Sequence, residues 1–253
     1  MISLEEIKNI SRKLKIDEGV VAREYIQILF LNELYSQSFS KYIFFKGGTA
    51  IRLIYKGTRF SEDLDFTVNI NESEFEESMH KFLSTLSNKY LIKSKEKKSV
   101  SGKSFLLTAT IPGFKTDIFI RLDFSFRENV LEPQSKVLLS DYPLLINSFV
   151  QVLSIDEIIA EKIRAIMTRD KARDIYDIWV LLQLGGKLNI ELINKKLDFY
   201  KEKFDKDLLI SRVRNVEKES FVKDLQAFIP INERGKLPDL LDFIKAFISE
   251  KVS

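Results

Sequence analysis

Cysteine is absent from the 253 residues, and histidine occurs once, at His80. The first absence excludes disulfide frameworks, zinc ribbons, iron–sulfur clusters and thiol nucleophiles, and the second excludes imidazole-rich metal sites. Any metal chemistry must run on carboxylates. Nine Gly and five Pro are too few for a collagen-like or low-complexity chain. No apolar run reaches the roughly 18 residues that span a bilayer, and Met1-Ile-Ser-Leu-Glu-Glu6 has acids where a signal peptide has positive charge. The expectation is a soluble cytoplasmic protein with no membrane partner. A large charge of one sign is also missing: 40 basic residues face 37 acidic ones, for a net +3. Nucleic acid or nucleotide would have to be met by a local patch. What is present is apolar material, 45% of the chain against 30% charged, enough for one large domain or two small ones with real cores.

Apolar residues recur at helical spacing over residues 3–35, with a break near Asp17-Glu18-Gly19. Tyr42-Ile-Phe-Phe45 reads as a buried strand ending in the turn Lys46-Gly47-Gly48-Thr49, followed by a short helix over Ala50–Tyr55. From Ser61 the period is two: Asp63, Asp65 and Thr67 fall on one face, and Leu64, Phe66 and Val68 on the other. Two more such stretches cover Phe105–Ile111 and Asp117–Phe126, the latter with Asp123 on its polar face. A helix is expected over Glu74–Leu86. The Lys-rich stretch Lys93–Lys103 reads as a solvated hairpin or loop, or as an RNA-contacting edge. After Ser148 the β signal fades; Ser154-Ile-Asp-Glu157 has capping-box spacing and opens a helix to about Thr168. A second helix runs from about Ala172 to Leu184, and amphipathic helices fill 190–251. The fold class is therefore α/β (α+β), a mixed sheet over 1–148 and a helical domain over 149–253.

Asp63 and Asp65, two apart on one strand, project to the same side and can converge on one hard cation. The Gly47-Gly48 turn could bring backbone N–H groups to phosphate oxygens, or be a plain tight turn. Asp123 is a candidate third carboxylate if a neighbouring strand sets it beside the pair; otherwise it pairs with Arg121 or Arg127. Lys162 lies at helical spacing from Ile155, Ile158, Ile159 and Ile166, either snorkelling from a core or presenting its charge to a ligand. Asp174 and Asp177 share a helix face, with Arg169, Lys171 and Arg173 as bland partners. Gly102-Lys103-Ser104 ends like a P-loop but lacks the earlier glycine and a following helix. His80, set among Glu74, Glu76, Glu77 and Lys81, belongs to no triad.

Phe44-Phe-Lys-Gly-Gly-Thr-Ala-Ile-Arg52 and Arg59-Phe-Ser-Glu-Asp-Leu-Asp-Phe66 resemble the first motifs of the AbiEii/AbiGii family, nucleotidyltransferase toxins of the DNA polymerase beta superfamily, often called type IV toxins. Ala160-Glu-Lys-Ile-Arg-Ala165 and Arg173-Asp-Ile-Tyr-Asp-Ile178 match its later signature, in the same order. The gap between Gly48 and Asp63 is slightly longer than the superfamily's usual one, and residues after 190 carry no recognisable motif. The resemblance implies that Gly47, Gly48, Thr49 and Ser61 hold nucleotide phosphates, and that Asp63 and Asp65 hold Mg²⁺ or Mn²⁺. It implies that Asp123 completes the metal site or takes a proton from the acceptor. Lys162 would offset triphosphate charge, and Asp174 with Asp177 would orient Lys162 or the nucleotide. The implied activity is transfer of NMP from an NTP to a hydroxyl of tRNA or protein. The chain would act as the toxin of a toxin–antitoxin or phage-defence pair whose antitoxin is a separate protein. A small-molecule nucleotidyltransferase and a catalytically silent binding module of the same fold are the rival readings.

Overall fold

The computed structural model describes residues 1–99, 102–138, 140–169 and 171–252. The chain divides into two compact units, Met1–Ile54 with Phe60–Leu153, and Tyr55–Arg59 with Ser154–Ser253.

In the first unit, α1 (Leu4–Leu14) opens on a capping box, with Ser3 Oγ accepting from the Glu6 N–H and the Glu6 carboxylate accepting from the Ser3 N–H. It ends at Lys15 in the left-handed region, and α2 (Glu18–Tyr35) restarts with the Asp17 carboxylate accepting from the Gly19 N–H. The break read at Asp17-Glu18-Gly19 is this boundary. Most of α2 is buried, as an interior helix is, and it carries two buried polar residues, Glu24 and Gln27. β1 (Ile43–Lys46) leads into α3 (Gly47–Leu53), then β2 (Leu64–Val68) and α4 (Glu72–Lys89). β3 (Ile92–Lys97), β4 (Gly102–Ala109), β5 (Ile118–Ser125), β6 (Pro133–Val137) and β7 (Phe149–Leu153) follow.

The strands form one mixed sheet in the order β3-β4-β5-β2-β1-β7-β6, with β2 parallel to β5 and β1 parallel to β7. One face is aromatic: Phe45, Phe66, Phe124 and Phe75 stack in sequence at 4.8–5.4 Å between ring centroids, and Phe75 brings α4 onto that face. The period-two alternation at β2 holds for Leu64, Phe66 and Val68, whereas Thr67 on the opposite face is buried as well. Two local readings change and one holds. The helix after β1 starts at Gly47, not Ala50, so both glycines belong to its first turn. Of the readings of Lys93–Lys103, the hairpin is the one observed, since β3 and β4 pair antiparallel; residues 100 and 101 of that stretch lie outside the described residues. The β signal does not end at Ser148: β7 buries Val150, Val152 and Leu153 beside β1 and pairs with β6. Both strands are short, so their alternation is easily lost in a single-sequence pattern.

The second unit is helical: α5 (Ile155–Thr168), α6 (Ala172–Gln183), α7 (Ile190–Asp198), α8 (Lys206–Arg214), α9 (Lys218–Leu225) and α10 (Leu237–Val252). Ser154 caps α5, its Oγ accepting from the Glu157 N–H at 3.0 Å. The Glu157 carboxylate receives the buried Lys196 ammonium at 2.6 Å, and Glu161 lies 3.3 Å from the same ammonium, so α7 is ion-paired to α5. Among the described residues no helix is long and apolar enough to cross a membrane.

Candidate active site

A row of polar side chains crosses four strands on the face opposite the aromatic stack. Asp65 is in register with Lys46 of β1 and with Asp123 of β5, and Asp123 is in register with Ser104 of β4. Residues opposite one another in a sheet point to the same side. The row therefore reads ammonium, carboxylate, carboxylate, hydroxyl. Asp63, just before β2, has the same parity as Asp65, and both are half-buried.

Gly47 explains itself by this neighbourhood. Its φ is +79°, and a Cβ there would run into the Asp65 carboxylate. Only glycine combines that backbone with that approach. Gly48 and Thr49 follow, buried, in the first turn of α3, and Thr49 Oγ1 donates to the Asp63 carbonyl at 2.5 Å. The two preceding carbonyls are also held: Gln27 Nε2 donates to Ser61 O at 3.1 Å and to Glu62 O at 2.8 Å. Arg52 pairs with buried Glu24 at 2.8 Å and lies over the Phe60 ring. The chain entering Asp63 is thus fixed from both α2 and α3.

Asp123 is paired with Arg121 at 2.9 Å, the partner its strand neighbourhood offers. Among the described residues no three Asp, Glu or His side chains are grouped so as to hold a metal ion by themselves. Asp63 and Asp65 nevertheless suit Mg²⁺ or Mn²⁺ in donor chemistry, since Mg²⁺ is commonly bound by one or two carboxylates with substrate phosphates and water supplying the other oxygens.

The second unit carries a buried ion cluster. Lys162 Nζ stands 2.7 Å from Asp174 Oδ1 and 2.6 Å from Asp177 Oδ2. Arg59 clasps Asp177 with Nε and Nη2 at 2.5 and 2.7 Å, and Arg169 reaches Asp174 at 3.0 Å. Burial pushes the Asp177 carboxyl up, but Arg59 and Lys162 outweigh it and hold it down at about 2. Burial likewise opposes the Lys162 charge, and Asp174 with Asp177 overcome it, raising the ammonium above its ordinary value. Lys162 therefore stays protonated. Of the bland partners expected for Asp174 and Asp177, Arg169 is present.

Reading the sequence missed Arg59 and Gln27. Arg59 stands in one of the family-like blocks, but nothing local tells that it will meet Asp177. Gln27 interrupts the apolar stretch Tyr25–Leu31, and that mismatch was the available signal. His80 is solvated on α4, edge-on to Phe105, and Gly102 opens a strand rather than a phosphate loop.

A family model described as "Nucleotidyl transferase AbiEii toxin, Type IV TA system" matches residues 29–246. The chain belongs to the AbiEii family. Membership makes it a nucleotidyltransferase toxin of a type IV toxin–antitoxin system, with an antitoxin as its partner. Among solved structures it is similar to MenT4, a nucleotidyltransferase toxin of Mycobacterium tuberculosis, at a TM-score of 0.67 and 14% identity, over 100% of this chain and 94% of that one. It is also similar to JHP933 from Helicobacter pylori, at a TM-score of 0.57 and 21% identity, over 94% of each chain. At such identities these likenesses speak for the fold. No curated protein gave a significant match.

Proposed function

We propose that this AbiEii protein transfers an NMP group from an NTP to a hydroxyl of tRNA or of a protein, releasing pyrophosphate, and that it does so with a divalent cation in the cytoplasm. The observation that carries the reading is the registration of Asp65 with Asp123 beside Gly47, with Asp63 at the same parity. Asp63 and Asp65 hold the cation, Mg²⁺ or Mn²⁺, whose charge offsets that of the triphosphate. Gly47, Gly48 and Thr49 with Ser61 line the phosphate side, where Gly47 leaves the room a side chain would fill. Asp123 accepts the proton of the attacking hydroxyl on its carboxylate, which requires it to loosen its pair with Arg121. Lys162 offsets phosphate charge, oriented by Asp174 and Asp177, whose contacts keep it charged.

The test is incubation with each α-labelled NTP and Mg²⁺ or Mn²⁺, in turn with tRNA, total RNA and cell lysate. Label in RNA or protein is expected, and its loss in excess EDTA. Label in small molecules alone would make the chain a small-molecule nucleotidyltransferase. No label with any NTP would overturn the transfer reading in favour of a silent module.

A further inference from the structure

At this edge of the sheet, three lysines of β3 share the face that bears the carboxylates. In the β3–β4 pairing Lys93, Lys95 and Lys97 stand opposite Thr108, Leu106 and Ser104, and in the β4–β5 pairing those three stand opposite Phe119, Arg121 and Asp123. Registered partners share a face, so the three lysines lie on the same side as Asp123 and Asp65. Lys97 extends the row Ser104–Asp123–Asp65. The lysines, Arg121 and Phe119 are all exposed, Phe119 to 53%. No carboxylate among the described residues pairs with Lys93, Lys95 or Lys97. The opposite face behaves differently: Lys103 there is held by Glu72, Glu76 and Glu96.

Lysines on an edge strand also block unwanted strand addition. That role asks for charge anywhere along the edge. It gives no reason for three unneutralised cations on the carboxylate side or for an exposed phenyl ring beside them. Same-face residues on a strand are about 7 Å apart, and two strand spacings put the lysines roughly 10 Å from β5. A cationic track with an aromatic platform at its side, ending at a carboxylate that could take a proton from a hydroxyl, is complementary to a single nucleic-acid strand: phosphates on the lysines, a base on the ring.

We propose that the β3–β4–β5 face is the docking surface for the acceptor, and that the acceptor is a single-stranded end of RNA. Its phosphates run along Lys93, Lys95 and Lys97, a base stacks on Phe119, and its terminal hydroxyl is presented toward Asp123. The inference rests on the transfer reading for its purpose, but the surface can be tested without any transfer.

The probe is a fluorescent 20-nucleotide single-stranded RNA with a free 3′ end, titrated with the full chain by anisotropy in the absence of NTP. Against wild type, the triple variant Lys93→Gln/Lys95→Gln/Lys97→Gln is expected to bind at least tenfold more weakly, and Phe119→Ala at least fivefold more weakly. The slope of log K against log salt is expected to fall by about 2 in the triple variant, since each single-strand phosphate contact contributes roughly 0.7. Lys201→Gln/Lys203→Gln/Lys223→Gln, in the second unit, removes the same charge and is expected to bind like wild type. All substituted side chains are exposed, and thermal melts should confirm intact folds. Wild-type affinity and salt slope in the edge variants, or equal loss in the control triple, would overturn the surface. Where labelled NMP still reaches RNA with an unchanged KM in the edge triple, the surface fails and the transfer reading stands. Where RNA binds as described and no NTP is used, the reverse holds.

Discussion

At the scale of single residues, Gly47 and Lys162 make opposite cases. Gly47→Ala adds one methyl group to a site where the backbone is left-handed and the Asp65 carboxylate occupies the space. Either the carboxylate or the start of α3 must move. The variant should fold with a slightly lowered melting temperature and lose at least tenfold in nucleotide transfer, measured with labelled NTP; unchanged transfer would show that the Gly47–Asp65 approach is only packing. Lys162 is a different kind of residue, because its ammonium holds two buried carboxylates. Breaking a buried ion pair from one side costs about 3–5 kcal/mol, and Arg59 and Arg169 remain to soften the loss. Lys162→Met is therefore expected to lower stability in urea unfolding as well as transfer. The same cluster sets an acid limit. The Asp177 value is depressed, so the stability it contributes is present above its ordinary 3.8 and is lost as pH falls toward about 2. Unfolding followed from pH 5 to pH 2 should show stability declining over that lower window, with a smaller decline in Asp177→Asn.

At the scale of elements, α2 supports the segment that carries the acidic pair. Carbonyls of three consecutive residues, Ser61, Glu62 and Asp63, accept hydrogen bonds from side chains of α2 and α3. Gln27→Met keeps the volume and leaves two carbonyls without those donors, at about 1–3 kcal/mol. Its kcat should fall at least tenfold, whereas Leu34→Ala, a core truncation elsewhere on α2, should lower the melting temperature comparably and leave kcat near wild type. Equal effects of the two on kcat would reduce Gln27 to packing. The helix itself was readable from its apolar spacing and from the break at Asp17-Glu18-Gly19, because both signals are local to the chain. The short strands β6 and β7 were not, since five residues of alternation compete with every loop of similar composition, and their pairing partners decide them.

At the scale of the whole molecule, the AbiEii assignment makes growth the readout. Expression without antitoxin should slow growth, while Asp65→Asn and Asp123→Asn should be tolerated at equal protein levels, because both keep size and polarity and remove charge from the proposed metal and proton-transfer positions. Toxicity equal to wild type in both variants would place the harm in binding or sequestration. The division into two units bears on such experiments. The segment Tyr55–Arg59 belongs with the helical unit although its neighbours on either side belong with the sheet, so a truncation at either unit's apparent end would cut through Arg59's ion pair or leave it behind.

Sequence alone determined what short-range pattern can encode: the absence of thiols and of imidazole-rich metal sites, the helical stretch over 3–35 with its break at Asp17-Glu18-Gly19, the helix start at Ser154, the acidic pair on a period-two strand, and four ordered blocks that carry the family. Asp63 and Asp65 were legible because a strand of known period puts them on one side without any partner. Tertiary structure decided the rest. Arg59 and Asp177 meet across 118 positions, Asp123 stands beside Asp65 only because β5 is parallel to β2, and the Lys-rich edge shares their face only through the register of two more strands. Local propensity acts over one or two turns of chain, whereas the neighbours of a charged side chain are set by which elements pack and in what order, and no window of sequence contains that information.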